Sequence, residues 1–181
     1  MLSPLLLVIA LLIMLRMRRP VIFRQKRVGR GGNLFTLYKF RTMVADHGGS
    51  LISVKGESRI TPLGGKLRKH KLDELPELWN ILKGDMSFVG PRPDMPEYID
   101  RLRGEERKIL ELRPGLTGPA TLKYAREEEL LAAVPDPEMY NNEVIWPDKV
   151  RINLNYYYDR SFWGDISIII NTLFDKPHCS I

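Results

Sequence analysis

A chain of 181 residues is long enough for one domain with a real core and too short to argue for two. Its single cysteine, Cys179, excludes an intrachain disulfide and any zinc site needing two or four thiolates, and His47, His70 and His178 follow no metal-ligand spacing. The net charge of +6 conceals an asymmetry: residues 1–72 carry 15 Lys/Arg against only Asp46 and Glu57, whereas residues 73–181 carry 13 Lys/Arg against 20 Asp/Glu. So local a surplus implies an anionic partner on one side, whether lipid headgroups, a phosphorylated substrate or nucleic acid; a solvated basic face is the plainer reading.

The chain opens MLSPLLLVIALLIMLRMRRP, with an uninterrupted apolar run from Leu5 to Leu15 followed by Arg16, Arg18 and Arg19. As a helix this run spans about 16 Å, against a hydrocarbon core of about 30 Å, so it is too short to cross a bilayer. The charges follow the run instead of leading it, and no small-residue cleavage site appears, which excludes a secretory signal. A buried core helix, an interfacial helix and a re-entrant segment remain. Ser3-Pro4 favours the last, because proline lacks an N–H and a serine hydroxyl satisfies a freed carbonyl. The arginines suit an anionic cytoplasmic lipid surface.

Val21-Ile22-Phe23 and Leu34 to Phe40 have strand composition, and the turn signal Gly29 to Asn33 between them predicts a short hairpin. Its Arg24, Lys26, Arg27, Arg30, Lys39 and Arg41 suit phosphates or lipid headgroups, or equally serve as edge-strand charges against aggregation. Val44 to Pro62 reads as a loop.

In KLDELPELWNILKGDMSFVGPRP, Leu72, Leu75, Leu78, Trp79 and Leu82 recur at helical spacing and Gly84 suits a C-terminal cap. With Pro76 tolerable in a first turn, the pattern predicts a helix from about Asp73 to Lys83. Asp73 and Glu74 then sit at its positive end, where a carboxylate stays ionised. Neighbours about 100° apart on a helix cannot face each other across a substrate as glycosidase acids do. They can converge on one metal ion or phosphate, one attacking and the other holding the cation; an N-cap with a dipole-complementing Glu is the structural alternative. Lys66, Arg68, Lys69 and Lys71 lie within one or two turns, as a phosphate ester beside two acids requires. Arg92, held between Pro91 and Pro93, is presented with little freedom, which favours bidentate phosphate recognition or simply marks a rigid surface turn.

Residues 126–133 read as a short acidic helix and VPDPEMYNNEVIWPD, residues 134–148, as a loop. From about Asp148 the pattern is helical again. Tyr156 to Tyr158, Phe162 and Trp163 lead into an Ile-rich segment, Ile166 to Phe174, as an interfacial belt or as core packing. No internal repeat, G-x-G-x-x-G, P-loop or nucleic-acid-binding motif is present.

The order of RQKRVGRGG, YKFRTM, LRKHKLDELPELWNILKGDMSFVGPRP and RPGLTG resembles the bacterial sugar transferase family, the monotopic polyprenyl-phosphate phosphoglycosyl transferases, over nearly the whole chain. The resemblance implies transfer of a phosphosugar from a UDP-sugar to a polyprenyl (undecaprenyl) phosphate, releasing UMP, at the cytoplasmic face of a bacterial inner membrane, as the start of lipid-linked glycan assembly. By the same resemblance Asp73 is the nucleophile that forms a covalent phosphosugar enzyme, and Glu74 is the acid that holds Mg2+. Arg68 and Arg92 contact phosphate or nucleotide. A carboxylate suits that role because it is ionised at neutral pH without an activating base.

Two departures stand out. The relatives' apolar half-helix before Ser-Pro is absent, which implies a start further upstream or a lost limb. After RPGLTG, many relatives read Ala-Gln and then Gly-Arg-Asn where this chain has PATLKYAREEEL, so Arg126 stands in for that arginine with a one-residue shift. The expectation is a compact, mainly helical α+β domain over residues 20–181, with a short β-hairpin and a re-entrant or interfacial membrane helix within residues 1–19. Its partners are the two substrates and anionic membrane lipid, not nucleic acid, and a homo-oligomer is open. The rival expectation, a non-catalytic membrane adaptor keeping the fold, is disfavoured by the intact Asp73, Glu74 and Arg92.

Overall fold

The structure, a computed structural model, describes residues 3–44 and 58–174. His47, His178, Cys179 and the central part of the predicted Val44–Pro62 loop lie outside the described residues.

Helix α1 spans Ser3–Met17. Ile9 and Ile13 are buried and pack with Leu6, Ala10 and Met17 against Phe40 and Leu67, a stripe at helical spacing. The other faces are apolar too, and Leu7, Leu11 and Leu15 are exposed. Among the described residues no helix is long and apolar enough to cross a membrane. The end of α1 is closed from a distance: the Arg41 guanidinium donates to the carbonyls of Met17, Arg18 (2.8 Å) and Arg19 (3.4 Å). Arg41, which suited phosphate, lipid or an edge-strand charge equally, is thus a buried cap on the last carbonyl of α1 and the two that follow it.

Strands β1 (Ile22–Val28) and β2 (Leu34–Phe40) pair antiparallel from Ile22 opposite Phe40 to Val28 opposite Leu34, as the turn signal predicted. Two hairpin arginines face protein groups: Arg24 lies over the Tyr38 ring, and Arg27 donates to Gln25 and to the Pro93 carbonyl. Helix α2 (Pro62–Lys69) has no counterpart in the sequence-based expectation, although Thr61-Pro62 is a start signal: the Thr61 hydroxyl accepts from the Gly64 N–H at 3.0 Å and proline takes the first position.

The predicted helix over Asp73–Lys83 is divided. Leu72–Glu74 form a 3-10 turn, and helix α3 runs only over Glu77–Lys83, ending at Gly84 in the left-handed region. Pro76 has no N–H to donate back to Leu72, so the chain advances through tighter bonds, Leu75 N–H to Leu72 and Leu78 N–H to Leu75. The acid pair therefore precedes the helix instead of sitting on its first turn.

Strand β3 (Ser87–Val89) is followed by helix α4 (Pro96–Ile99) and a 3-10 segment (Gly104–Glu111), after which β4 (Gly115–Thr117) returns to pair with β3 in parallel. Nothing in the sequence reading anticipated this second sheet. Helices α5 (Pro119–Lys123) and α6 (Glu127–Ala132) follow, the latter matching the predicted acidic helix. The predicted loop over 134–148 is helical from Pro137: α7 (Pro137–Tyr140) passes through a wide turn, Asn141–Ile145, into α8 (Trp146–Asp159). Prolines 137 and 147 mark helix starts here rather than a loop, since each occupies a first-turn position. The aromatic segment splits between α8 and α9 (Phe162–Leu173): Tyr156 of α8 packs with Val89, Leu122 and Ile168, whereas Phe162 and Trp163 of α9 are exposed.

Candidate active site

The chain places a left-handed residue two positions before Asp73, at the head of the turn that carries the acid pair. Lys71 has φ 53°, a conformation that glycine usually supplies; its N–H closes α2 on the Arg68 carbonyl, and the chain reverses there to deliver Asp73 and Glu74. Both acids line a cleft of about 2470 Å3 along which cations outnumber carboxylates. An ordinary small-molecule site holds roughly 300–1,000 Å3, so the cleft has room for more than one substrate.

The two neighbouring acids occupy opposite electrostatic situations. Glu74 Oε1 accepts from Lys39 at 2.8 Å and from Arg92 at 2.5 Å. Burial opposes its ionisation, but the fields and hydrogen bonds of Arg92 and Lys39 outweigh burial and hold its carboxyl far below 4.5. Asp73, buried at 8% exposure, accepts no side-chain hydrogen bond among the described residues. Burial is the main influence there and pushes its carboxyl up from 3.8, the Glu74 charge adds to it, and Lys39 and Arg68 oppose it. Asp73 thus stands in the 3-10 turn before the helix, not at the helix's own first turn, and it is burial rather than a helix end that dominates its environment.

Arg92 is presented by a backbone crossing that explains two motifs. The Gly115 N–H donates to the Pro91 carbonyl at 2.8 Å and the Gly90 N–H to Thr117 at 2.9 Å. A Cβ on Gly90 would stand 2.4 Å from the Arg113 carbonyl oxygen, and one on Gly118 would stand 2.2 Å from that of Gly90. RPGLTG therefore acts here by bracing GPRP, and only glycine permits the approach.

Arg68 and Arg126 line the same cleft. Arg68 is engaged by Glu128 of the acidic helix α6, and Arg126 stands at the head of that helix. Asp73, Glu74 and Arg92 are thus brought together as expected, while Arg68 and Arg126 share the cleft with them. Two further residues belong to the site. Lys39 joins Glu74 to Glu77, whose Oε1 lies 3.1 Å from the ammonium. Glu77 carried a usable signal, since three residues after Glu74 on a helical stretch is the same face. Lys39 was already among the hairpin cations that suit a phosphate, and its parity with the inward Phe35 and Leu37 in β2 separates it from the others.

Among the described residues no group of three His, Cys, Asp or Glu could hold a metal ion. Magnesium commonly takes only one or two carboxylates and otherwise substrate phosphates and water, so Glu74 and Asp73 are the residues that would hold it. Both cations meet Glu74 on Oε1, leaving Oε2 toward such a role, and Asp73 is beside it.

A buried acid pair with divergent environments, ringed by lysine and arginine, is an arrangement suited to displacement at phosphorus. Residues 1–176 match the family described as "Bacterial sugar transferase", and the chain belongs to that family. It is 36% identical over 180 residues to the UDP-N-acetylgalactosamine-undecaprenyl-phosphate N-acetylgalactosaminephosphotransferase of Aeromonas hydrophila, covering 94% of this chain and 38% of that protein. It is 36% identical over 175 residues to the UDP-glucose:undecaprenyl-phosphate glucose-1-phosphate transferase of Xanthomonas campestris pv. campestris, covering 93% and 34%. To the uncharacterized sugar transferase EpsL of Bacillus subtilis it is 35% identical over 159 residues, covering 88% and 71%. The chain thus spans little more than a third of the length of the first two relatives.

Proposed function

We propose that this chain transfers a phosphosugar from a UDP-sugar to a polyprenyl phosphate and releases UMP, through an aspartyl phosphosugar on Asp73. The observation that carries the reading is the division of the acid pair: Asp73 has no side-chain hydrogen-bond partner among the described residues and faces the cleft, while Glu74 is tied to two cations. The names of the relatives support the two substrates.

In the first step an Asp73 carboxylate oxygen forms a bond to the phosphorus bearing the sugar, and the bond from that phosphorus to the bridging oxygen breaks, so UMP leaves with the electron pair. In the second, a polyprenyl phosphate oxygen attacks the same phosphorus, and the bond to Asp73 breaks. The carboxylate is restored and a polyprenyl diphosphosugar departs. Desolvation, which raises the pKa of Asp73, also strips water from its anion and leaves it a stronger base and nucleophile once ionised. Arg92 is held against Glu74 by a braced loop, so its guanidinium is in place before a diphosphate arrives. Mg2+, held by Glu74 with Asp73 nearby, would supply charge neutralisation to the diphosphate. For location, the apolar faces of α1 and α9 beside a basic half support a seat on anionic lipid at the cytoplasmic membrane face.

The test is incubation with magnesium and a panel of UDP-sugars, without acceptor, followed by intact-protein mass measurement and peptide mapping. A phosphosugar adduct on Asp73, absent from Asp73→Asn, is expected. Full turnover by Asp73→Asn would overturn the assignment.

A further inference from the structure

Glu77 is one of the most deeply buried side chains of the described residues, at 2% exposure, and it is an acid. An ionised carboxylate in such a place costs several kcal/mol unless a counter-charge meets it. The cation at Glu77 is Lys39, 3.1 Å away, while the same ammonium gives its 2.8 Å hydrogen bond to Glu74. Glu77 Oε1 is not aligned for a hydrogen bond with that ammonium; burial pushes the Glu77 carboxyl up, and the Lys39 charge is the chief influence drawing it back down, so the contact is one of charge.

Glu77 is itself held rigidly. One turn further along α3, the fully buried Asn80 clamps β2 on both sides, its Nδ2 donating to the Thr36 carbonyl at 2.8 Å and its Oδ1 accepting from the Tyr38 N–H at 3.2 Å. Ile81 packs on Phe35, Leu37 and Met86 beneath. One face of α3 is therefore locked to β2, and the next β2 residue is Lys39. An ammonium has three donors; with carboxylates on two sides, a third is left for the cleft that Lys39 lines.

We propose that Glu77 is a positioning residue for Lys39, which it holds between the two carboxylates so that the ammonium contacts the diphosphate of the incoming nucleotide. This rests on the nucleotide-sugar reading of the site. Without Glu77, the flexible lysine collapses onto Glu74 and its third donor leaves the cleft.

The test is UDP binding with Mg2+, measured by titration calorimetry for the unmodified chain, Glu77→Gln, Lys39→Met and the double variant, each checked by thermal melting. With Lys39 present, Glu77→Gln is expected to weaken UDP binding about tenfold, as loss of an outer partner commonly does. In the Lys39→Met background the same change is expected to leave affinity equal or tighter, since it only removes a negative charge near an anion. Should Glu77→Gln not fold, Glu77→Asp keeps the charge, shortens the reach, and is expected to weaken binding only when Lys39 is present. Tighter binding in both backgrounds, or equal weakening in both, overturns the positioning role alone. An unmodified chain that does not bind UDP overturns the nucleotide-sugar reading and this one with it.

Discussion

Neutralising each member of the acid pair in turn should change stability in opposite directions. Glu74→Gln keeps the volume but removes the charge that Lys39 and Arg92 share. Breaking a buried ion pair costs about 3–5 kcal/mol. Here the figure is reduced, because Arg92 is 38% exposed and Lys39 retains Glu77, which leaves about 2–3 kcal/mol. For a domain of this size each kcal/mol lowers the melting temperature by about 2–4 °C, so a fall of roughly 4–12 °C is expected. Asp73→Asn removes an anion that burial disfavours and that has no side-chain partner to lose among the described residues, so its melting temperature should equal or exceed that of the unmodified chain. Differential scanning calorimetry at pH 7, beside UMP release, reads both. The transferase reading requires Asp73→Asn to be stable and inactive, a group held in place for chemistry at the expense of the fold. A marked fall in melting temperature for Asp73→Asn, equal to that of Glu74→Gln, would make both acids structural and refute the reasoning.

The same two variants separate with pH. The folded carboxyl of Glu74 lies below 4.5, so its stabilisation is full above that value and is lost as pH falls toward the folded pKa; the deficit of Glu74→Gln should shrink in acid melts. Asp73 lies above 3.8 when folded, so the unmodified chain loses stability as pH rises through the folded pKa, and the advantage of Asp73→Asn should vanish near and below pH 3.8. Lys71→Gly should gain about 1 kcal/mol by relieving a left-handed lysine, while weakening anion binding in the cleft, read by melting and by UDP titration. Glu128→Gln frees Arg68 and should tighten UDP binding at low salt, an effect that added salt abolishes.

The hairpin, the acidic helix and the presence of a helix before Gly84 were legible because each depends on neighbours in sequence: a turn signal, a charge run, an apolar period. The parallel pairing of β3 with β4 was not, because two three-residue strands separated by 25 residues carry no period long enough to read. Pro76, Pro137 and Pro147 show one residue read in two ways. Proline stops a helix only where an N–H is needed, and at a first turn it is not, so composition alone cannot say whether a proline ends an element or opens one.

For the candidate site, residue types were legible and environments were not. Asp73 and Glu74 are adjacent, and a helix-end argument assigns them the same ionisation; what separates them is Lys39 and Arg92, which reach Glu74 from 35 residues before it and 18 after. Neither distance is local, and each depends on a clamp elsewhere: Asn80 setting α3 against β2, and Gly115 setting the Arg92 loop against β4. An ion pair at 2.5–2.8 Å tolerates little displacement, since a charge-assisted hydrogen bond weakens steeply with misalignment. The glycines at 90, 115 and 118 therefore bear on the acid pair without touching it. A Cβ at any of them would shift the backbone that carries Arg92, weaken one of the two cation contacts of Glu74, and narrow the difference between the acids on which a nucleophilic Asp73 depends.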